Sequence, residues 1–339
     1  MAKVRVVEVV RETADAHTLV LEPVGGERWD YRPGQFLTVR VPSDREGGAA
    51  RCYSLCSSPV RDDRLKVMVK RTREGYASNW LCDHVEAGAE LEVLPPAGTF
   101  VPRELDTDFL LLAGGSGITP VLSILKTALH TGAGQVALVY ANQDETSVIF
   151  RDELIALAAE FPGRLAVVHW LESVQGLPTD AGLRALVAPY VEREAFICGP
   201  TPFMELAARV LTESGAPRER VHQEIFTSLA GDPFAEVPVV ADVDGGADSA
   251  ELIVELDGNV TSHAWPSGSM LLDVLLADGV QAPFSCREGA CSACACIVQE
   301  GTVELVHNEV LDKVDLEDGI ILSCQARATS PVIKVSFDV

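Results

Sequence analysis

Four cysteines, Cys286, Cys291, Cys294 and Cys324, stand in the order C-x4-C-x2-C-x29-C. That order is the plant-type [2Fe–2S] ligand spacing. One loop would offer three thiolates, and the fourth would arrive from a distant segment to close the cage. Gly289, Ala290, Ser292 and Ala293 between the ligands are small enough to let backbone N–H groups approach sulfur. A zinc site, a disulfide pair and buried structural thiols are the competing readings. Zinc ribbons favour two C-x2–4-C knuckles, and Cys324 has no neighbouring second ligand. Disulfides would imply an oxidising compartment, for which nothing else in the chain argues. Cys296, a fifth thiol beside the loop, reads as a packed bystander because Cys294 already points toward iron. A one-electron carrier is thus placed at one end of the chain, and the remainder must supply its electrons.

The elements that position this loop come last in the chain. Residues 250–339 carry a strand at 251–256, a helix around 269–278, the cysteine loop and a final strand at 332–337. Before them, 229–249 is rich in Gly, Asp, Pro and Val without periodicity and reads as a linker. Residues 1–104 show short alternating apolar runs broken by Pro and Gly, as at 18–22, 36–41 and 65–70. That texture predicts a small antiparallel barrel. Over 105–228 the pattern changes to strand–helix alternation, starting with the continuous apolar run 109–113. Such runs are strands buried on both faces, and the alternation predicts an open parallel α/β sheet.

Two Gly-rich turns follow strands of that sheet. Gly114, Gly115, Ser116, Gly117, Ile118, Thr119 and Pro120 join the first strand to a helix. Glycines there allow close approach of a pyrophosphate, and the helix start supplies unpaired N–H donors. Thr119 is expected to be the N-cap and Pro120 the first helical residue. The motif is not G-x-G-x-x-G, and alone it could be only a tight turn. A second strand end, Cys198, Gly199 and Pro200, is expected at the same carboxyl edge, where α/β sheets bind ligands.

In the barrel region, Arg51, Tyr53 and Ser54 offer a phosphate partner, a ring to lie against a flavin and a hydroxyl donor. Gly75 and Ser78 precede a helix expected over 79–85, a second helix start suited to phosphate.

Together these motifs resemble the ferredoxin–NADP reductase superfamily, in the branch that carries a plant-type ferredoxin domain at the C-terminus. The resemblance rests on R-x-Y-S (Arg51, Tyr53, Ser54), P-G-Q-F (Pro33, Gly34, Gln35, Phe36), G-x-x-S, the two turns and the cysteine loop. The stretch Glu224, Ile225, Phe226, Thr227, Ser228, Leu229 and then Asp232, Pro233, Phe234 is most similar to reductases of 3-ketosteroid 9α-hydroxylases. Phenylacetyl-CoA oxygenase reductases come next. The resemblance implies an FAD-binding barrel at 1–104, an NAD-binding α/β domain at 105–228 and an α+β ferredoxin (β-grasp) domain at 250–339. It assigns Arg51 and Ser78 to the flavin pyrophosphate, Tyr53 to the ring and Ser54 to its N5 edge. Cys198 and Glu224 would border the nicotinamide, and Phe226 would cover the flavin face, where plant-type members carry Tyr. Asp232, Pro233 and Phe234 would lie over an adenine, favouring FAD.

The implied activity is NADH-dependent electron transfer through FAD and a [2Fe–2S] cluster to a separate, Rieske-type oxygenase. Nicotinamide gives two electrons together and the cluster takes one, so a flavin must stand between them. A cluster of this type lies near about −400 mV, a strong reductant. No oxygen-activating motif is found in the chain. A stand-alone NADH diaphorase and a non-enzymatic iron–sulfur sensor are the alternatives.

Composition agrees with these expectations. With 47% hydrophobic residues the chain can build real cores, and its net charge of −23 disfavours nucleic acid. Residues 229–339 hold 19 Asp or Glu against 4 Lys or Arg, so the acidity gathers around the cluster. That is either a docking face for the oxygenase or a solubility device. Residues 1–10 alternate like a strand rather than a signal-peptide core, and no run of about 20 apolar residues would insert in a membrane. A cytoplasmic monomer is expected. The loop Ala141, Asn142, Gln143, Asp144, Glu145, Thr146, Ser147 has two carboxylates and no cation before Arg151, which favours NADH over NADPH.

Overall fold

The structure, a computed structural model, describes residues 2–44, 49–235 and 249–338. The chain divides into two compact units, each built around its own sheets. The first comprises Met1–Val41, Arg51–Pro96 and Phe100–Phe226; the second comprises Pro42–Ala50, Ala97–Thr99 and Thr227–Val339.

The first unit opens with six strands: β1 (Ala2–Arg11), β2 (Ala16–Pro23), β3 (Phe36–Val41), β4 (Ala49–Ser54), β5 (Leu65–Lys70) and β6 (Glu90–Val93). Helix α1 (Tyr76–His84) interrupts them after β5. They lie in the order β4-β3-β6-β1-β2-β5. An antiparallel bridge between Leu55, just past β4, and Val67 of β5 ties the two edges and closes the expected barrel. Alternation along β1 sends Val4 and Val6 inward, which is what a half-buried strand requires.

The remainder of that unit begins with β7 (Phe109–Gly114), α2 (Ile118–Thr131), β8 (Val136–Asn142), α3 (Arg151–Glu160) and β9 (Leu165–Leu171). It continues through α4 (Glu172–Gln175), α5 (Asp180–Val187), β10 (Glu194–Cys198), α6 (Thr201–Glu213) and β11 (Val221–Glu224). The sheet is parallel, in the order β11-β10-β7-β8-β9. Every residue of β7 is buried, consistent with its unbroken apolar run. The chain builds outward from β7 in one direction and then returns to lay β10 on its other side. The gap between β7 and β10 is therefore the switch point at which such sheets open a ligand crevice.

The second unit holds β12 (Ser249–Leu256), β13 (Asn259–Pro266), α7 (Leu271–Ala277), β14 (Ala295–Glu300) and β15 (Val303–Leu305). It ends with α8 (Lys313–Glu317), β16 (Ile320–Leu322), β17 (Ala326–Ala328) and β18 (Val332–Ser336). A mixed sheet in the order β13-β12-β18-β14-β16 pairs β12 parallel to β18, and β15 pairs with β17. Leu271, Leu272, Val274 and Leu275 of α7 join Trp265 in its core, the arrangement expected of an α+β ferredoxin domain.

Two local expectations are corrected. Helix α2 starts at Ile118 with Gly117 as N-cap, because Gly115–Gly117 already wind as a 3-10 turn. Thr119 therefore lies inside the helix, and its hydroxyl donates to the Ser116 carbonyl at 2.9 Å. Helix α1 likewise starts at Tyr76, with Gly75 as N-cap. Of the segment read as a linker, 236–248 lies outside the described residues. Residues 229–235 are held within the second unit, with Leu229 and Phe234 buried.

Candidate functional site

The cysteine loop runs from α7 to β14, and Cys324 sits between β16 and β17. The fold brings the four thiols together. Cys286 is hydrogen-bonded to Cys291 and Cys324, and Cys294 to Cys324. These contacts push the Cys286 and Cys294 thiols down from the ordinary range and the Cys291 and Cys324 thiols up. All nine cysteines are free of disulfides. Backbone N–H groups of Glu288 and Ala290 each donate to Cys286 Sγ at 3.4 Å, and that of Cys286 donates to Cys291 Sγ at 3.4 Å.

Such donors favour thiolates, the form that binds iron. Among the described residues, no three Cys, His, Asp or Glu side chains close on one point as a single ion requires. Four thiols spread over two iron atoms are the donor set of a [2Fe–2S] cluster, and the site fits that group. Cys296 lies on β14 opposite Ile321, fully buried in the apolar core, where burial pushes its thiol far up.

The loop is braced from residues that sequence reasoning did not single out. Arg287, at φ 61°, pairs with Asp273 of α7 at 2.5 Å and donates to the Ala235 carbonyl at 3.1 Å. Glu288 accepts from the N–H groups of Ala230 and Gly231, and Thr227 Oγ1 donates to the Ala290 carbonyl at 3.0 Å. In the sequence, Arg287 and Glu288 look like ordinary loop charges.

At the switch point the two Gly-rich turns pack on each other. A Cβ on Gly117 would lie 2.1 Å from the Cys198 carbonyl oxygen, and one on Gly199 would lie 2.9 Å from the Gly114 nitrogen. A Cβ on Gly114 would meet the Pro200 ring at 2.8 Å. Gly115, at φ 53°, accepts through its carbonyl from Tyr140 Oη at 3.1 Å. No side chain fits between these turns, which stand at the carboxyl strand ends, the edge where such sheets bind ligands.

Sheet register then assembles the side chains. Cys198 stands opposite Ala113 of β7 on one side and Glu224 of β11 on the other. From the barrel, Ser54 at the end of β4 donates to Glu224 Oε2 at 3.2 Å. Glu224 is half-buried, and withdrawal from water pushes its carboxyl up to about 8 against the opposing Ser54 hydrogen bond. Cys198 is fully buried; burial first, and the Glu224 carboxylate second, raise its thiol so that it stays protonated. Ser54 is thus hydrogen-bonded to Glu224, and Cys198 is the register partner of Glu224 on the neighbouring strand. Two residues beyond Glu224, Phe226 is 47% exposed.

Arg51 and Tyr53 precede Ser54 on β4. Burial pushes the Tyr53 phenol up, and the nearby Arg51 charge opposes the shift. Gly75 leaves no room for a side chain, since a Cβ would lie 2.2 Å from Thr72 Oγ1. Ser78 turns its hydroxyl to Thr72 Oγ1 at 2.6 Å and accepts from the Thr72 N–H at 3.2 Å. The Ser78 hydroxyl thus closes the turn ahead of α1.

A cavity of about 480 Å³, lined by Asp108, Tyr190, Arg193 and Arg220, opens at the amino ends of β7 and β10. That is the edge opposite the turns, away from the chemistry.

Three family models match the chain in order. They are an oxidoreductase FAD-binding domain over 3–101, an oxidoreductase NAD-binding domain over 111–209 and a 2Fe-2S iron-sulfur cluster binding domain over 254–329. The chain is 56% identical to the ferredoxin reductase component of 3-ketosteroid-9-alpha-monooxygenase from Rhodococcus rhodochrous, over 97% of this chain and 95% of that one. It is 33% identical to one component of the 1,2-phenylacetyl-CoA epoxidase of Escherichia coli, over 98% of this chain and 96% of that one. Among solved structures it is similar to phthalate dioxygenase reductase, a modular structure for electron transfer from pyridine nucleotides to [2Fe–2S]. That match has a TM-score of 0.60 and 25% identity, over 99% of this chain and 97% of that one.

Proposed function

The chain belongs to the family of the ferredoxin reductase components of multicomponent monooxygenases, and from that membership we propose that it is the NADH-dependent reductase of a 3-ketosteroid 9α-hydroxylating system. Its terminal partner is a separate, Rieske-type oxygenase. Bound FAD would supply the exchange between a two-electron hydride donor and one-electron transfer, and a bound [2Fe–2S] cluster would supply a one-electron carrier.

The chain's own residues position these groups. The observation that carries the reading is the hydrogen bond from Ser54 of the barrel to Glu224, the register partner of Cys198 at the carboxyl end of the parallel sheet. The Gly114–Gly117 turn and the Cys198, Gly199, Pro200 turn hold the dinucleotide by backbone, and Thr119 fixes the first turn through Ser116. Arg51 neutralises flavin phosphate, Tyr53 lies along the ring, and Gly75 and Ser78 shape the N-terminus of α1 for the pyrophosphate. Ser54 presents its hydroxyl to the flavin N5 edge. Cys198 stays a neutral thiol and leaves no charge against the nicotinamide. Phe226, exposed two residues beyond Glu224, would cover the face of a bound flavin. Cys286, Cys291, Cys294 and Cys324 hold the cluster.

The steroid assignment rests on the 56% identity along almost the whole chain. Net acidity of residues 229–339 favours oxygenase docking beside the cluster, where charge complementarity speeds encounter. A cytoplasmic monomer suits the free thiols, and no helix among the described residues is long and apolar enough to cross a membrane. Reconstitution tests the reading. The holoprotein, NADH, a purified Rieske-type 3-ketosteroid oxygenase and a 3-ketosteroid should together give 9α-hydroxylated product. Failure there, with turnover restored by a phenylacetyl-CoA oxygenase, would overturn the steroid assignment.

A further inference from the structure

Lys126 is 1% exposed, near the middle of α2. Its Nζ lies 2.9 Å from Asp62 Oδ2 and 3.0 Å from Glu153 Oε1. Asp62 belongs to the connection between β4 and β5, and Glu153 to α3. The Asp62 carboxylate also takes Lys66 Nζ at 2.6 Å and the Ser58 N–H at 2.7 Å. Two neighbours on the same face of α2 reach the same connection. Ser123 Oγ donates to the Ser57 carbonyl at 2.6 Å, and the Ser58 and Thr127 hydroxyls lie 2.9 Å apart. Ser123, Lys126 and Thr127 are three and four residues apart, the spacing that aligns side chains along one helix face.

Burying an ammonium and its carboxylates contributes little net stability, so an ion pair kept inside usually fixes a register. Here both joined elements lead into the site. α2 begins at the Gly114–Gly117 turn, and the clamped segment 57–66 continues directly from Arg51, Tyr53 and Ser54. Lys126 itself is nine residues along α2 from Gly117, about 13 Å at the helical rise.

We propose that Lys126 is a positioning residue that locks the flavin strand to the nicotinamide-binding turn, setting the alignment for hydride transfer from NADH to the flavin. The role rests on the reading of the chain as an NADH-dependent reductase. Misplacing the reacting atoms by about 1 Å can cost about 100-fold in rate, and a clamp at this seam controls a displacement of that size.

The test compares wild type, Lys126→Met and Lys126→Arg as holoproteins. Three quantities are read: the rate of flavin reduction at saturating NADH, the long-wavelength charge-transfer absorbance of nicotinamide stacked on flavin, and amide exchange over 57–66. Lys126→Met is expected to lose about tenfold or more in the saturated rate. Its charge-transfer absorbance should weaken and exchange at Ser58 should rise, with KM for NADH nearly unchanged. Lys126→Arg should recover most of both signals. If Lys126→Met does not keep flavin, Thr127→Val, which removes one neutral hydrogen bond of the same seam, replaces it, with a loss of about threefold expected. Wild-type rate and charge-transfer absorbance in the variant overturn the positioning role. A wild-type flavin that NADH does not reduce overturns the underlying reading instead.

Discussion

The Ser54 hydroxyl donates to the Glu224 carboxyl at 3.2 Å, linking residues 170 apart in sequence. One ends the barrel strand that carries R-x-Y-S, and the other ends the last strand of the parallel sheet. A hydroxyl and a carboxyl from two different sheets thus meet at the carboxyl end of edge strand β11, one strand beyond the β7–β10 switch point. The barrel and the parallel sheet each contribute one side chain to this contact.

Glu224 gives this contact a pH signature. Its folded carboxyl keeps a proton up to about 8, whereas the unfolded chain releases it near 4.5. The folded state therefore binds more protons across that window, and this group's stabilisation falls as pH rises through it. Thermal unfolding against pH should show wild type losing stability between 4.5 and 8 relative to Glu224→Gln, which cannot ionise. Parallel curves for the two proteins would mean the carboxyl is not raised.

Gly117→Ala would place a Cβ 2.1 Å from the Cys198 carbonyl, where backbone stands on both sides. Overpacking of this kind costs about 1–3 kcal/mol. A lowered Tm and a reduced kcat/KM for NADH are expected, with iron content unchanged because the cysteines belong to the other unit. Full NADH activity would show that the turns do not pack so closely.

Cys324→Ser should abolish the cluster while leaving NADH-to-ferricyanide turnover through the flavin. Cys296→Ser should keep the cluster, since that thiol is buried among apolar side chains of the core. Iron and sulfide analysis with visible absorption checks both. Wild-type iron in Cys324→Ser, or a lost cluster in Cys296→Ser, would break the ligand assignment.

NADH should be preferred over NADPH by at least about tenfold in kcat/KM, roughly 1.4 kcal/mol. After β8, Asp144 caps the short turn Glu145–Ser147, and hydrogen bonds from Thr146 and Ser147 hold its carboxyl below the usual range. An ionised carboxylate there repels a 2′-phosphate, and no Lys or Arg stands between Asn142 and Arg151 to attract one. Steady-state kinetics with both nucleotides decide it, and equal use of NADPH would contradict the reading.

Much of this site is legible in the sequence because its chemistry is local. The cysteine spacing, the apolar run into Gly114 and the R-x-Y-S strand each carry their signal within a few residues. Thr119 misled because a Thr-Pro pair looks like a helix start, and nothing local shows that Gly115–Gly117 already wind as a 3-10 turn. The opposition of Cys198 and Glu224 depends on strand order, which pattern alone does not fix. Lys126 lies among apolar helix residues, and its buried role emerges only when Asp62 and Glu153 arrive from other elements. The attachment of 229–235 to the cysteine loop was hidden because Gly and Pro there read as a linker.

Passage of electrons from NADH through flavin to the cluster can be followed by anaerobic titration of the purified holoprotein with NADH, monitored by visible absorption and electron paramagnetic resonance. Wild type should show bleaching of the flavin and appearance of the reduced [2Fe–2S] signal. In Cys324→Ser the flavin should bleach without that signal. Flavin reduction in wild type that leaves an intact cluster oxidised would rule out electron transfer from flavin to the cluster.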